Sequence, residues 1–501
     1  MVKIKNNSFF LFCLLTPVFC LLFSSANASF RFSPTCQEAM QAILDLRFED
    51  ARLLISQERK INPDNGYIIY LEHYSEAIEL IITEEPVLYK HLIDNYESRL
   101  ERMEELDDGS PDFEWLHAEM LFQAGLAQVK FGTRVSGAAK IFSSYRKIRD
   151  HRQEYPQFWQ NQKLTGMYNI IFDHIPGFMR WAADMFGLSG NAELGIYQLH
   201  QYCKASKHTP GLAEEAILIT NLGYKLVQQE KEGLQFLQEQ DIALLDLTLI
   251  KYLYASAATF TYQNDLALRL LGEIHQEEIQ VHFYSLDYIT GRCKLNHLEK
   301  DADIPFKKYL DTYPGLDYKK DICNRLSYYY LLQGNTAKYE EYRAKVAQVG
   351  QDLRDRDQEA ILESQSALMP HVGLLKARLL CDGGYFGEAD SILESIDPSR
   401  LAEKSYQLEY HYRMGRIEQL SGNADEAIIE LTRCYNEGKD SPYTFATRAA
   451  FNLGKIYEEK QDYQNALLWY ERCVDVFSSS HTTEGVSDSA EKGIKRAKAK
   501  F

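Results

Sequence analysis

The residue pattern with the most direct chemical reading lies on three helical segments near the C-terminus. Arg378, Arg416 and Lys455 each stand one residue after a small side chain, Ala377, Gly415 and Gly454. Four residues before each cation lies an apolar or aromatic group, Leu374, Tyr412 and Phe451. Residues four apart share one face of an α-helix. If the three helices stand side by side, a ladder of cations runs beside a ladder of apolar groups. The chain has 55 basic and 72 acidic residues, a net charge of −17, so a local cationic stripe stands out against the background. Such a stripe suits an extended peptide carrying carboxylates and a few apolar anchors. These six residues are the partner-groove candidates. The competing expectation is that the cations are scattered over the surface and the aromatics pack between helices.

Other chemistry finds little support. The sequence contains no G-x-x-x-x-G-K-[ST] phosphate loop, G-x-G-x-x-G turn, G-x-S-x-G elbow or H-E-x-x-H pair. The acidic run Glu101 to Asp108 lacks the alternating order of a calcium loop. Histidines occur singly: His411 is expected to pack between helices, and His371 to cap a helix or line a groove. Glu409 with Glu418, and Glu458 with Glu459, are expected as solvated charge, because paired acids act only where a closed pocket splits their pKa values. The Gly187 to Asn191 stretch reads as a turn. No catalytic residue, cofactor or metal is therefore expected. The acidic balance also disfavours nucleic acid as a partner.

The elements that must position the ladder are helices. After residue 36 almost every segment has helical spacing, with no convincing β-branched alternation. The helices are short and paired. Gly415, Ala427, Leu431 and Cys434 recur as Gly454, Ala466, Tyr470 and Cys473, and again as Ala377, Ala389, Leu393 and Ile396, with the same internal offsets. The turns align as well, at Gly383-Gly384, Gly422-Asn423 and Gln461-Asp462. Small residues at matched positions let two antiparallel helices approach closely. The expected contact is Gly415 against Ala427 and Gly454 against Ala466, with Leu431 and Tyr470 filling the gap to the next pair. One pair cannot bury its apolar stripe alone, so pairs must stack.

Leu453-Gly454-x-x-Tyr457, Ala466 and Tyr470, with weaker equivalents in the two preceding copies, resemble the tetratricopeptide repeat family. The resemblance is specific over about residues 365–480, although Met414 and Lys376 replace the leucine in the other copies. It implies an all-α fold, a right-handed superhelical solenoid of antiparallel helix pairs, and the role of a scaffold or adaptor for a protein or peptide partner. Weaker pairs read upstream at Ala42 to Pro63 (Phe48, Ala51, Ile55) and at Trp115 to Phe142 (Gly125, Ala138), and Leu326 to Asn335 matches a first helix and its turn. Trp159 to Leu199, with Ile175-Pro176-Gly177 and Trp181, is less regular. The wider chain is similar to long exported bacterial tetratricopeptide proteins.

Lys3 and Lys5, an apolar run from Phe9 to Phe23, and an Ala26-Asn27-Ala28 exit are the parts of a secretory signal peptide. Cleavage after Ala28 would leave an exported protein of the periplasm or cell envelope, and loss of the two lysines would deepen the charge to −19. A retained anchor would instead tether the chain, and membrane association is expected through this segment only. The remaining seven cysteines are scattered singly, which suits buried apolar fillers better than a disulfide framework. The expected regions are 1–28 as signal, 29–205 as an N-terminal helical region, 206–357 as a middle repeat region, and 358–501 as C-terminal repeats ending in a basic capping helix. The alternative to a scaffold is a carbohydrate-handling envelope protein with its site in 156–200, where Trp159 and Trp181 would stack on a sugar ring.

Overall fold

The computed structural model describes residues 29–174, 188–352, 354–477 and 484–501. The signal segment, Ile175-Pro176-Gly177, Trp181 and most of the loop after Phe477 lie outside the described residues. Every regular element among the described residues is helical. No described helix is long and apolar enough to cross a membrane. The chain divides into two units. One holds the residues up to Ile81 together with Pro86–Val227, and the other holds Ile82–Glu85 with Gln228–Phe501.

The first unit is built from α1 (Pro34–Leu44), α2 (Phe48–Ile61), α3 (Gly66–Thr83), α4 (Pro86–Glu104), α5 (Pro111–Lys130), α6 (Arg134–Glu154), α7 (Asn161–Asp173), α8 (Ala192–Ser206) and α9 (Leu212–Leu226). Pro34, Pro86 and Pro111 open their helices at a position where no amide donor is needed. The α1–α2 pair buries Phe48, Ala51 and Ile55, as the sequence pattern requires. Two further pairs approach through facing glycines. A Cβ on Gly125 would come within 2.9 Å of the Gly137 carbonyl, and one on Gly166 within 2.9 Å of the Gly195 carbonyl. The sequence pattern marked Ala138 together with Gly125 in this pair. Ala138 is exposed, and Gly137, one position earlier, takes the contact.

The second unit contains α10 (Glu230–Gln238), α11 (Thr248–Phe260), α12 (Asn264–Gly272), α13 (Tyr284–Asn296), α14 (Asp303–Thr312), α15 (Lys319–Leu332), α16 (Thr336–Lys345), α17 (Asp355–Ser364), α18 (Val372–Gly383) and α19 (Phe386–Glu394). It continues with α20 (Lys404–Ser421), α21 (Ala424–Gly438), α22 (Phe445–Glu459), α23 (Tyr463–Phe477) and α24 (Glu484–Lys498). One turn recurs through it. A residue with positive φ follows the first helix of each pair, at Tyr262, Leu298, Gly334, Gly384, Gly422 and Gln461. The next amide donates back to the carbonyl five residues earlier: Gln263 to Ala258, Glu299 to Lys294, Asn335 to Tyr330, Tyr385 to Leu380, Asn423 to Glu418 and Asp462 to Tyr457, each at 2.9 Å. This is the left-handed helix cap that satisfies orphan carbonyls and turns the chain back on itself. The aligned turns of the sequence pattern are three of these six.

The meshing within pairs differs in one respect from the expectation. A Cβ on Gly415 would meet Leu431 at 2.6 Å, and one on Gly454 would meet Tyr470 at 2.5 Å. The glycines thus admit the large side chains of the second helix. Ala427 and Ala466 are fully buried one turn away. Tyr470 is also covered from the far side by α24, where a Cβ on Gly493 would come within 2.6 Å of its ring.

Six of the seven described cysteines are buried, Cys203 is half-buried, and all are free thiols. Burial pushes the Cys293 thiol up to about 12.

Candidate arginine-lined binding site

In the second unit a polar cavity of about 190 Å³ opens among α15, α17, α18, α20 and α22. Six arginines and four carboxylates line it: Arg325, Arg356, Arg378, Arg413, Arg416 and Arg448 against Asp321, Glu359, Glu363 and Asp382. The register of the turns explains how two of them, Arg378 and Arg416, arrive there. Counting back six residues from the positive-φ residues Leu298, Gly334, Gly384, Gly422 and Gln461 gives Arg292, Tyr328, Arg378, Arg416 and Lys455. A fixed offset from a fixed turn places each side chain at the same point of its helix. The sequence-predicted cation ladder is therefore the last three steps of a longer series.

Each step is held differently. Arg378 Nη1 lies 2.7 Å from Glu363 Oε1. Glu363 Oε2 accepts from the Tyr328 hydroxyl at 2.5 Å and from Asn324 Nδ2 at 2.7 Å. Burial pushes the Glu363 carboxyl up, but the Arg378 charge, the Tyr328 hydroxyl and Arg448 outweigh it and bring it down to about 2. Arg325 pairs with Asp321 at 2.7 Å, Arg413 with Glu409 at 2.9 Å, and Arg448 with Glu359 at 3.1 Å. Glu409 is thus an ion-pair partner. So is Glu458, which accepts from Tyr470 at 2.6 Å and from Arg496 at 2.8 Å. Both were expected as solvated charge.

Two cations differ from these. Arg416 donates to Gln419 at 2.6 Å, Asn452 at 3.0 Å and the Tyr262 hydroxyl at 2.8 Å. All three acceptors are neutral, so its charge has no carboxylate partner among the described residues. Arg356 has no such partner either, and its guanidinium lies 5.7 Å from the Phe260 ring centroid. Nε of Arg448 is buried without an acceptor. Nearby, Arg292 is buried with its Nε also unpartnered. Burial and the Arg356 charge pull its guanidinium down to about 10. A charge held by neutral dipoles inside a half-enclosed wall acts on a ligand at a low effective dielectric. The cavity can therefore receive an anion.

The structure brings Arg378, Tyr412 and Arg416 of the predicted groove into this cavity. Tyr412 is mostly buried under Arg413, whose guanidinium is 5.2 Å from its ring centroid. Leu374 is fully buried and belongs to the apolar core of α18–α20, because its face of α18 meets Ala389 and Leu393 of α19. It fills the core and offers no anchor to a partner. Phe451 is half-buried against Tyr470, and Lys455 is exposed. Arg325, Arg356, Arg413 and Arg448 were missed. Arg292 and Tyr328 carry the positional signal; the turn at Gly334 was read from the sequence, and the one at Leu298 was not.

The histidines have local roles. His411 Nδ1 lies 2.7 Å from Glu430 Oε2 in a buried setting, and the His371 ring accepts from the Leu374 amide at the start of α18. Trp159 is packed 5.6 Å from Tyr202, centroid to centroid. Among the described residues no three His, Cys, Asp or Glu side chains converge as a metal site.

Residues 447–479, which cover most of α22 and α23, match the tetratricopeptide repeat family. That segment is one tetratricopeptide repeat, and every regular element among the described residues is helical. No curated protein sequence matches the chain. Three solved structures are among those to which the chain is similar. The human IFIT1 dimer with m7Gppp-AAAA is 14% identical, with 94% of this chain and 90% of that chain covered and a TM-score of 0.31. The P58(IPK) TPR domain is 14% identical, with 86% and 97% covered and a TM-score of 0.21. The APC/C hetero-tetramer Cut9-Hcn1 is 12% identical, with 95% and 87% covered and a TM-score of 0.28.

Proposed function

We propose that this protein is a non-enzymatic scaffold of the cell envelope that holds an acidic, extended segment of a protein partner against the arginine-lined cavity. Tetratricopeptide repeats support a protein-interaction role in general. The observation that carries the finer reading is Arg416. It is built into the wall by three neutral acceptors, and its charge is left for something else. Arg356 and the orphan Nε of Arg448 add further donors at the same place. A partner carboxylate would complete them with charge-assisted hydrogen bonds. Tyr412 would flank the bound segment, and Lys455 would meet charge further along it. The envelope location rests on the N-terminal sequence alone.

The test is binding of a fluorescent Glu-rich peptide, followed by anisotropy, to the wild-type chain and to Arg356→Gln with Arg416→Gln. The expected result is saturable binding, weakened at least about tenfold in the double variant and falling steeply with salt. Equal affinity in a folded double variant would remove the proposal. Replacing Arg378, Arg416 and Lys455 together by Ala, with capture of a native partner as the readout, is the corresponding cellular test.

A further inference from the structure

The first unit carries a second arginine-lined cavity, separate from the one just described. It measures about 410 Å³ and is walled by α2, α3 and α4. Arg52 and Arg59 stand two turns apart on α2, Arg99 and Arg102 one turn apart on α4, and Glu72 and Glu76 line it from α3. Four guanidiniums meet four carboxylates here, Glu72 and Glu76 in the lining and Glu49 and Glu79 behind Arg52, so what the cavity offers is a set of N–H donors. Ser56, Ser75 and Ser98 contribute hydroxyls from all three helices.

The existing pairs leave donors unused. Arg99 is buried and bidentate to Glu76, at 2.7 and 2.5 Å. Arg59 is bonded to Glu72. Arg52 Nη2 and Nη1 reach Glu49 and Glu79 at 2.8 and 3.3 Å. Each guanidinium has five N–H groups in a fixed fork, so these contacts leave several free. Arg102 is the least engaged, with Glu72 no nearer than 3.6 Å and its side chain 46% exposed. His91 Nδ1 lies 3.3 Å from Glu76 and adds positive charge when protonated.

Ser75 supplies the independent observation. It lines the cavity, is only 3% exposed, and its Oγ has no hydrogen-bond partner. Buried hydroxyls in native proteins are nearly always satisfied, so an orphan beside four arginines points to a missing acceptor. The donors come from three helices in different directions. A planar carboxylate matches one fork, whereas a tetrahedral oxyanion can accept from several sides at once.

We propose that the α2–α3–α4 cavity binds a phosphate group, with Arg102 and Arg52 as its principal cations and Ser75 Oγ as a buried donor. The group can come from a free phosphate ester or from a phosphorylated side chain. Calorimetric titration of the full chain with inorganic pyrophosphate, and separately with a phosphoserine peptide and its unphosphorylated form, tests this. The expected result is saturable one-site binding of pyrophosphate or the phosphopeptide, with the unphosphorylated peptide silent. It weakens about tenfold in Arg102→Gln and several-fold in Ser75→Ala. The tighter of the two probes assigns the source. Arg102 is half-exposed, so its variant is expected to fold, which circular dichroism checks. Absence of saturation, equal affinity in Arg102→Gln, or a loss confined to Arg416→Gln overturns the proposal. The last of these would place the anion in the other cavity.

Discussion

The tightest test of the packing is Gly454→Ala. An added Cβ would lie 2.5 Å from Cδ1 and 2.6 Å from Cε1 of Tyr470. Ordinary carbon contacts are about 3.5–4.0 Å, so the ring would have to retreat by about 1 Å. It has nowhere to go. Its opposite edge sits where a Cβ on Gly493 would come within 2.6 Å, and its hydroxyl is tied to Glu458 at 2.6 Å. Overpacking of this kind costs about 1–3 kcal/mol. Alanine in mid-helix returns about 1 kcal/mol in propensity. Because the ring is pinned on both sides, the cost lies at the upper end and the net loss is about 1–2 kcal/mol. Gly387→Ala is the control: Gly387 is helical and exposed, with no heavy atom within 4 Å of an added Cβ, and the change is neutral or stabilising by up to about 1 kcal/mol. Native-state hydrogen exchange reads each change on its own helices, α22–α24 for Gly454→Ala and α18–α19 for Gly387→Ala, which suits an array whose unfolding need not be two-state. If Gly454→Ala leaves its amides as well protected as Gly387→Ala leaves its own, the wedge account is wrong.

Four further outcomes are expected. Gln461 occupies the left-handed cap position at φ 59°, so Gln461→Gly should stabilise the C-terminal pairs by about 1 kcal/mol, whereas Gly384→Ala, whose Cβ would meet the Tyr262 carbonyl at 1.8 Å, should disrupt them; urea unfolding monitors both. Glu363 is held below its unfolded value, so it contributes stability above pH about 4.5 that is lost as pH falls toward about 2. In Glu363→Gln that acid dependence should flatten in pH-dependent thermal melts. In the first unit, burial pushes Glu119 up to about 7 although Lys163 lies 2.7 Å away, because Glu215 shares the same ammonium at 2.6 Å. A raised carboxyl favours folding below its unfolded pKa and loses that contribution as pH rises through about 7, so Glu119→Gln should lessen the decline in stability between pH 5 and 8. Lys163→Met should cost about 3–5 kcal/mol, since it strands two buried carboxylates.

The helical pairing of α18 to α23 was legible because Gly384 and Gly422 mark the turn with the residue type it prefers. Upstream the same turn is made by Tyr262 and Leu298, which adopt positive φ against their own propensity. No sequence rule flags them. The interval from Gly334 to Gly384 is also lengthened by the extra helix α17, which breaks the period. That helix contributes Arg356, Glu359 and Glu363, so the part of the site outside the period was the part that spacing could not show. Arg378 and Arg416 were visible because they keep a fixed offset from a glycine turn. Leu374 was misassigned because a residue one turn before a surface cation can still face the core when the next helix packs across it. Glu409 and Glu458 looked like solvated acids for a similar reason: their partners come from neighbouring turns and from α24.

The most direct test of the central claim is a hydrogen-exchange footprint of the full chain with and without the Glu-rich peptide. The account predicts added protection in α15, α18 and α20 around Asn324, Arg378 and Arg416, abolished by the Arg356→Gln, Arg416→Gln double change. Protection elsewhere in the chain, or the same footprint in the double variant, would contradict it.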